Sequence, residues 1–271
     1  MRAVVRAAAL AALSSLSAAL PQITILPLGD SITYGCGSDA APPDWYACCP
    51  SSSGGYRAPL WAALNGSAIN ATVQFVGTES SGPAWVPQSQ RAHEGHPGWT
   101  SLRIAGLKPT WTKLAPDVVL LMSGTNDLGQ KHANATAIAD LGTLLASLRA
   151  SLPAARIFVC SILSFFDSQN PWLPAAVAAY NAAIPALAAQ NGATFVDINR
   201  ITQLCRGPQD PLAYPLCAVC NGPCGGYNPA SCPSGGGFAF CHPTGAGYSL
   251  VAGAWASALL PVLGEIAAAR A

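Results

Sequence analysis

The chain has 271 residues, 51% of them hydrophobic and only 9% charged, with 13 Lys and Arg against 12 Asp and Glu. That length suits one domain with a full core, and the apolar share excludes intrinsic disorder. A net charge of +1 without any basic cluster excludes nucleic acid as the main partner, because neutralising phosphates needs grouped Lys and Arg.

Met1-Arg2 and Arg6 precede the apolar, small-residue stretch Ala7–Leu20, a positive region followed by a hydrophobic one. Ser17 and Ala19 supply the small residues at which a leader is cut, so 1–19 reads as a signal peptide and 20–271 as a single secreted domain. A retained anchor is the alternative, since no charge falls between Arg6 and Asp30; Pro21 and the strand-like Ile23–Leu26 speak against it. The sequons Asn65-Gly66-Ser67, Asn70-Ala71-Thr72 and Asn134-Ala135-Thr136 fit a secretory route.

Beyond the leader, apolar runs alternate with helix-like stretches. Strands are predicted at Ile23–Leu28, Val73–Gly77, Asp117–Met122, Arg156–Leu163 and Thr194–Ile198. Helices are predicted near Tyr56–Leu64, Leu102–Leu114, Asn134–Leu152 and Leu173–Gln190. The run Val118–Met122 is apolar on both faces, as strands of a covered parallel sheet are. Alternating β and α predicts a parallel sheet of five strands between helices, an α/β/α sandwich. The uncharged stretch Gly245–Gly264 could be misread as a membrane span; Pro261 interrupts it and Glu265 and Arg270 follow, so it reads as a buried final helix.

Cysteines stand at 36, 48, 49, 160, 205, 217, 220, 224, 232 and 241. In a secreted chain the Gly- and Pro-rich stretch 203–241 reads as a disulfide-stapled insertion. Cys217, Cys220 and Cys224 could instead hold zinc, a reading that export disfavours. Cys36 can bridge to Cys48 or Cys49, and Cys160 sits in an apolar run as a buried thiol.

In sheets of this kind ligands bind beyond the carboxyl ends of the strands. Gly29-Asp30-Ser31-Ile32-Thr33 follows the first predicted strand and Gly124-Thr125-Asn126-Asp127 the third. His93-Glu94-Gly95-His96-Pro97-Gly98-Trp99 lies between the second and third, and His242-Pro243-Thr244 follows the insertion. Each segment alone is weak evidence. Their order and spacing together resemble the SGNH/GDSL hydrolase superfamily over residues 22–264. Pro27–Gly35, Gly54-Gly55-Tyr56-Arg57 and His93–Trp99 are similar to the third carbohydrate esterase family, known chiefly for acetylxylan esterases.

The resemblance implies a flavodoxin-like fold and a serine esterase. Ser31 would attack an ester carbonyl with His242 as its base, and the Ser31 and Gly98 backbone N–H groups with the Asn126 amide would form the oxyanion hole. This chemistry requires no metal and no cofactor. The family places an aspartate three residues before the histidine, where this chain has Ala239. A backbone carbonyl can orient the imidazole instead, an acid such as Asp210 can substitute, or turnover can be slow.

Plainer readings stand beside these. Ser31 could merely cap a helix, Asn126 be a turn residue, Gly98 a steric necessity and His242 structural. Asp30 and Asp127 read as cap or loop-bracing residues, and His93, Glu94 and His96 as braces for the loop carrying Gly98. Trp45, Trp99 and Trp172 are candidates for stacking on sugar rings, with ordinary packing as the alternative. The expected substrate is an acylated carbohydrate or another small ester, handled by a monomer with no stable membrane insertion. The rivals are an SGNH esterase acting on lipid or small acyl esters, and a carbohydrate-binding relative that has lost turnover.

Overall fold

The computed structural model describes residues 20–37, 49–163, 170–202, 242–243 and 245–271. The predicted leader, the stretch 203–241 with Asp210, Ala239 and Cys241, and also Trp45 and Cys48 lie outside the described residues.

The central strand β1 (Gln22–Gly29) pairs in parallel with β5 (Val118–Met122), which continues through β6 (Arg156–Cys160) to β7 (Thr194–Val196). Two short strands share its other edge. β2 (Thr72–Phe75) runs along Gln22–Ile25, and β4 (Ala92–Gly95) pairs with Leu28 and Gly29. β3 (Glu79–Ser80) lies antiparallel to β4. Among the described residues the sheet therefore has seven strands rather than the five expected. All five predicted strands are present, and the two additions carry Glu79, Ser80, His93 and Glu94, whose polar character hides them from a hydrophobic pattern.

Side chains alternate between the two sheet faces. Leu26, Leu28, Val119, Leu121, Ile157 and Val159 face a core completed by α3 (Ser101–Ala105), α4 (Lys108–Leu114), α6 (Asn134–Ser151) and α7 (Leu173–Gln190). Ile23, Ile25, Val118, Leu120, Met122 and Phe158 face α2 (Arg57–Asn65) and α9 (Gly245–Arg270). This is the three-layer α/β/α sandwich expected. The helix predicted over Leu102–Leu114 is broken into α3 and α4 at Gly106, and Pro109 enters the first turn of α4, where a missing N–H costs nothing.

α9 is long and apolar enough to cross a membrane. Its residues Tyr248, Val251, Trp255, Leu259 and Leu263 recur every three or four positions and are buried in the second core. Pro261 does not interrupt the helix. Cys160 is a buried free thiol, as expected, and burial pushes its pKa well up.

Candidate active site

Gly29 ends β1 in a place that admits no side chain: a Cβ there would lie 2.2 Å from the carbonyl oxygen of Met122. The chain then turns at once into the single helical turn α1 (Ser31–Tyr34). Asp30 caps it, its Oδ1 accepting the Ile32 N–H at 2.9 Å. Ser31 is thereby presented at the carboxyl edge of the sheet.

The turn is fastened on three sides. Cys36 donates its N–H to the Ser31 carbonyl at 3.0 Å, forms a disulfide with Cys49, and accepts the Tyr248 hydroxyl at 2.8 Å. Of the two pairings left open for Cys36, the bridge is to Cys49. Arg57, fully buried, donates to the carbonyls of Thr33 (2.8 Å) and Tyr34 (2.7 Å), and also to the carbonyls of Ser53, Ser81 and Arg91 and the Ser81 hydroxyl. Desolvation pulls its pKa down to about 10. It anchors α2 to the turn that carries Ser31 and to the hairpin of β3 and β4.

His242 meets this turn directly. Its Nε2 lies 2.8 Å from Ser31 Oγ. The two residues are separated by 211 positions. With the ring proton on Nδ1, Nε2 accepts from the serine hydroxyl, the arrangement a serine nucleophile and its base require.

Leu28 and Gly29 of β1 pair with β4 on one side and β5 on the other, so the turns leaving β1, β4 and β5 rise side by side. After β5, α5 (Thr125–Gly129) carries Asn126, Asp127 and Gln130 at its end, and all three hold the segment after β4. Asn126 Nδ2 donates to the Trp99 carbonyl at 2.9 Å and has a second N–H to offer. Gln130 Nε2 donates to the Gly98 carbonyl at 2.9 Å. Asp127, buried, accepts the Ser101 N–H at 3.0 Å and its hydroxyl at 3.2 Å. Gly98 itself has φ of 80° with nothing near the site of a Cβ, so conformation rather than space demands glycine. Gln130 carried no signal in the sequence, and Asp127 shows the loop-bracing geometry expected of it.

The segment after β4 is braced from below as well. His93 Nδ1 accepts the Gly95 N–H at 2.9 Å, which fixes its proton on Nε2, 2.8 Å from the Ser81 hydroxyl. Burial and the nearby Arg57 push the His93 pKa down to about 2, so the ring is neutral. Glu94 accepts from His96 at 2.8 Å and from the Thr78 N–H; burial raises its pKa, but these bonds outweigh that and the net shift is down.

Asp30 is the electrostatic exception. It is fully buried, and its Oδ2 has no hydrogen-bond partner among the described residues. Desolvation drives its pKa up to about 7; the Ile32 N–H opposes this and the Asp127 charge adds to it. Burial likewise raises Asp127.

Of the aromatic candidates, Trp99 stacks on His96 with centroids 4.2 Å apart, and the Arg103 guanidinium lies 4.5 Å from its ring. Trp172, 41% exposed, stands at the start of α7. One trio of metal-capable groups occurs among the described residues, Asp127, His132 and Asp140, with ligand atoms within 4.8 Å of one another. Asp127 is already engaged by Ser101 there.

The model described as the GDSL-like Lipase/Acylhydrolase family matches residues 28–250, a span that takes in every segment of this site. The chain belongs to that family. A curated relative, a multidomain esterase of Ruminococcus flavefaciens, is 30% identical over 168 residues, covering 54% of this chain and 20% of that protein. The chain thus spans about a fifth of that relative. Among solved structures, a family 3 carbohydrate esterase of Clostridium thermocellum is similar with a TM-score of 0.64 and 26% identity, over 91% of this chain and 99% of the other. A carbohydrate esterase family 3 structure from Talaromyces cellulolyticus shares the fold, with a TM-score of 0.62 and 22% identity over 90% of this chain and 99% of its own.

Proposed function

We propose that this GDSL-family esterase is exported and removes small acyl groups, acetyl foremost, from polysaccharide. The contact of 2.8 Å between Ser31 Oγ and His242 Nε2 carries the mechanism. The serine hydroxyl loses its proton to His242 as its oxygen attacks the ester carbonyl. Charge developing on the carbonyl oxygen is met by the Ser31 and Gly98 backbone N–H groups and the second N–H of Asn126. His242 then protonates the departing sugar oxygen, and water, deprotonated by the same imidazole, releases the acyl group from Ser31. The carbohydrate preference rests on the names of the similar esterases of Clostridium thermocellum and Talaromyces cellulolyticus.

Release of 4-nitrophenol from its acetate, compared between the wild type and Ser31→Ala, tests the chemistry. The expected loss in kcat is about 10³-fold or more, and equal rates would refute it. Acetate release from acetylated xylan, set against hydrolysis of long-chain acyl esters, tests the substrate: faster turnover of long chains would favour the lipid-ester reading.

A further inference from the structure

An amide that carries an N-linked sugar must stand in solvent with its nitrogen disengaged, and the three sequons differ in this respect. Asn134 is half-buried at the start of α6, and its Nδ2 donates to the Ala176 carbonyl of α7 at 3.1 Å. A sugar on that nitrogen would collide with α7. Asn65, which ends α2, and Asn70, just before β2, are exposed, and neither side chain makes a hydrogen bond among the described residues.

Both exposed asparagines line one cleft of about 420 Å³ together with Trp61, Ser67 and Gln90. Among the described residues no charged side chain contributes to its wall. Amides, hydroxyls and an indole face are the partners a neutral pyranose ring accepts. Trp61 precedes Asn65 by one turn of α2, and helical side chains lean toward the N-terminus, so a sugar on Asn65 is directed back across that indole. Trp85, 59% exposed, extends the aromatic surface, its ring 6.3 Å from that of Trp61.

We propose that Asn65 and Asn70 carry N-linked oligosaccharide, that Asn134 does not, and that the innermost sugars fill the cleft over Trp61. In the transfer, Nδ2 bonds to C1 of an oligosaccharide held on a lipid diphosphate, the bond from C1 to the diphosphate oxygen breaks, and the amide gives up one proton. The cleft lies where β1 begins, beside Thr72, whereas Ser31 follows the end of β1, roughly 25 Å along the strand. The attached glycan leaves the catalytic crevice open. The proposal rests on export, not on the esterase reading.

The test is to produce the full chain with its own leader in a eukaryotic secretory host and map its glycopeptides by mass spectrometry. Occupancy above half at Asn65 and Asn70 with Asn134 bare is expected. Enzymatic release of the sugar should lower Tm, should lower it by at most half as much in Trp61→Ala, and should change 4-nitrophenyl acetate turnover by less than twofold. Bare Asn65 and Asn70, or equal occupancy at Asn134, would overturn the assignment. An undiminished Tm loss in Trp61→Ala would overturn the filling of the cleft. Ester turnover is read on the same samples, so a failure there is visible separately.

Discussion

The hydroxyl of Tyr248 donates to the carbonyl of Cys36 at 2.8 Å and so ties the last helix to the turn that carries Ser31. His242 precedes that helix by only a few residues. The distance between Ser31 and His242 therefore depends on how α9 sits on the sheet, and Tyr248 pins the end of that helix nearest the turn, while Arg270 holds its far end to the Gln22 carbonyl and Asp117.

Tyr248→Phe removes the pin and leaves the packing. A buried carbonyl left without its donor costs about 1–3 kcal/mol, which in a domain of this size lowers Tm by about 2–4 °C per kcal/mol. Calorimetry should show that loss, and steady-state kinetics should show kcat falling with KM nearly unchanged, because the serine and imidazole separate while the segments carrying Gly98 and Asn126 stay in place.

The disulfide between Cys36 and Cys49 closes a loop with a sequence separation of 13. Replacing both cysteines by alanine should cost about 2–3 kcal/mol, in line with the closure entropy of so short a loop. Activity should fall at temperatures well below the lowered Tm, since Cys36 also holds the Ser31 carbonyl. Activity that tracks only the folded fraction would separate the bridge from the site.

Asp30 predicts a pH dependence of definite sign. Its folded pKa of about 7 lies above the ordinary carboxylate value of 3.8, so the folded state holds its proton more tightly than the unfolded chain does. The corresponding stability is fully present below pH 3.8 and is lost as pH rises through 7. The full swing is on the order of 4 kcal/mol. Asp30→Asn keeps the acceptor for the Ile32 N–H and abolishes the titration. Its Tm relative to the wild type should rise from pH 4 to about pH 7 and level off above it, and a flat difference would refute the buried acid.

Gly98→Ala meets no steric contact, so only its backbone conformation resists. Holding alanine in the left-handed region costs about 1–2 kcal/mol, a small loss in Tm. If the Gly98 N–H is an oxyanion donor, its displacement should lower kcat by up to about 10²-fold. A small Tm loss with kcat intact would leave Gly98 as a turn residue.

The strands at the middle of the sheet were legible because both their faces are buried, which leaves an unbroken apolar run such as Val118–Met122. The site segments were legible because chemistry needs particular side chains just past those strands. The polar strands β3 and β4 were not, since His93 and Glu94 are buried through hydrogen bonds rather than through apolar periodicity. The break between α3 and α4 was also missed, because a lone glycine in a helical pattern carries little weight against its neighbours. Gln130 on the Gly98 carbonyl and Tyr248 on Cys36 are contacts across 32 and 212 positions, and no local pattern encodes them.

Ser31 emerges with the first strand of the domain, whereas its imidazole partner arrives with the final helix. In a growing polypeptide Ser31 is accordingly made long before the histidine that contacts it. Under the proposed mechanism, the serine therefore gains its base only once α9 has been made and has docked.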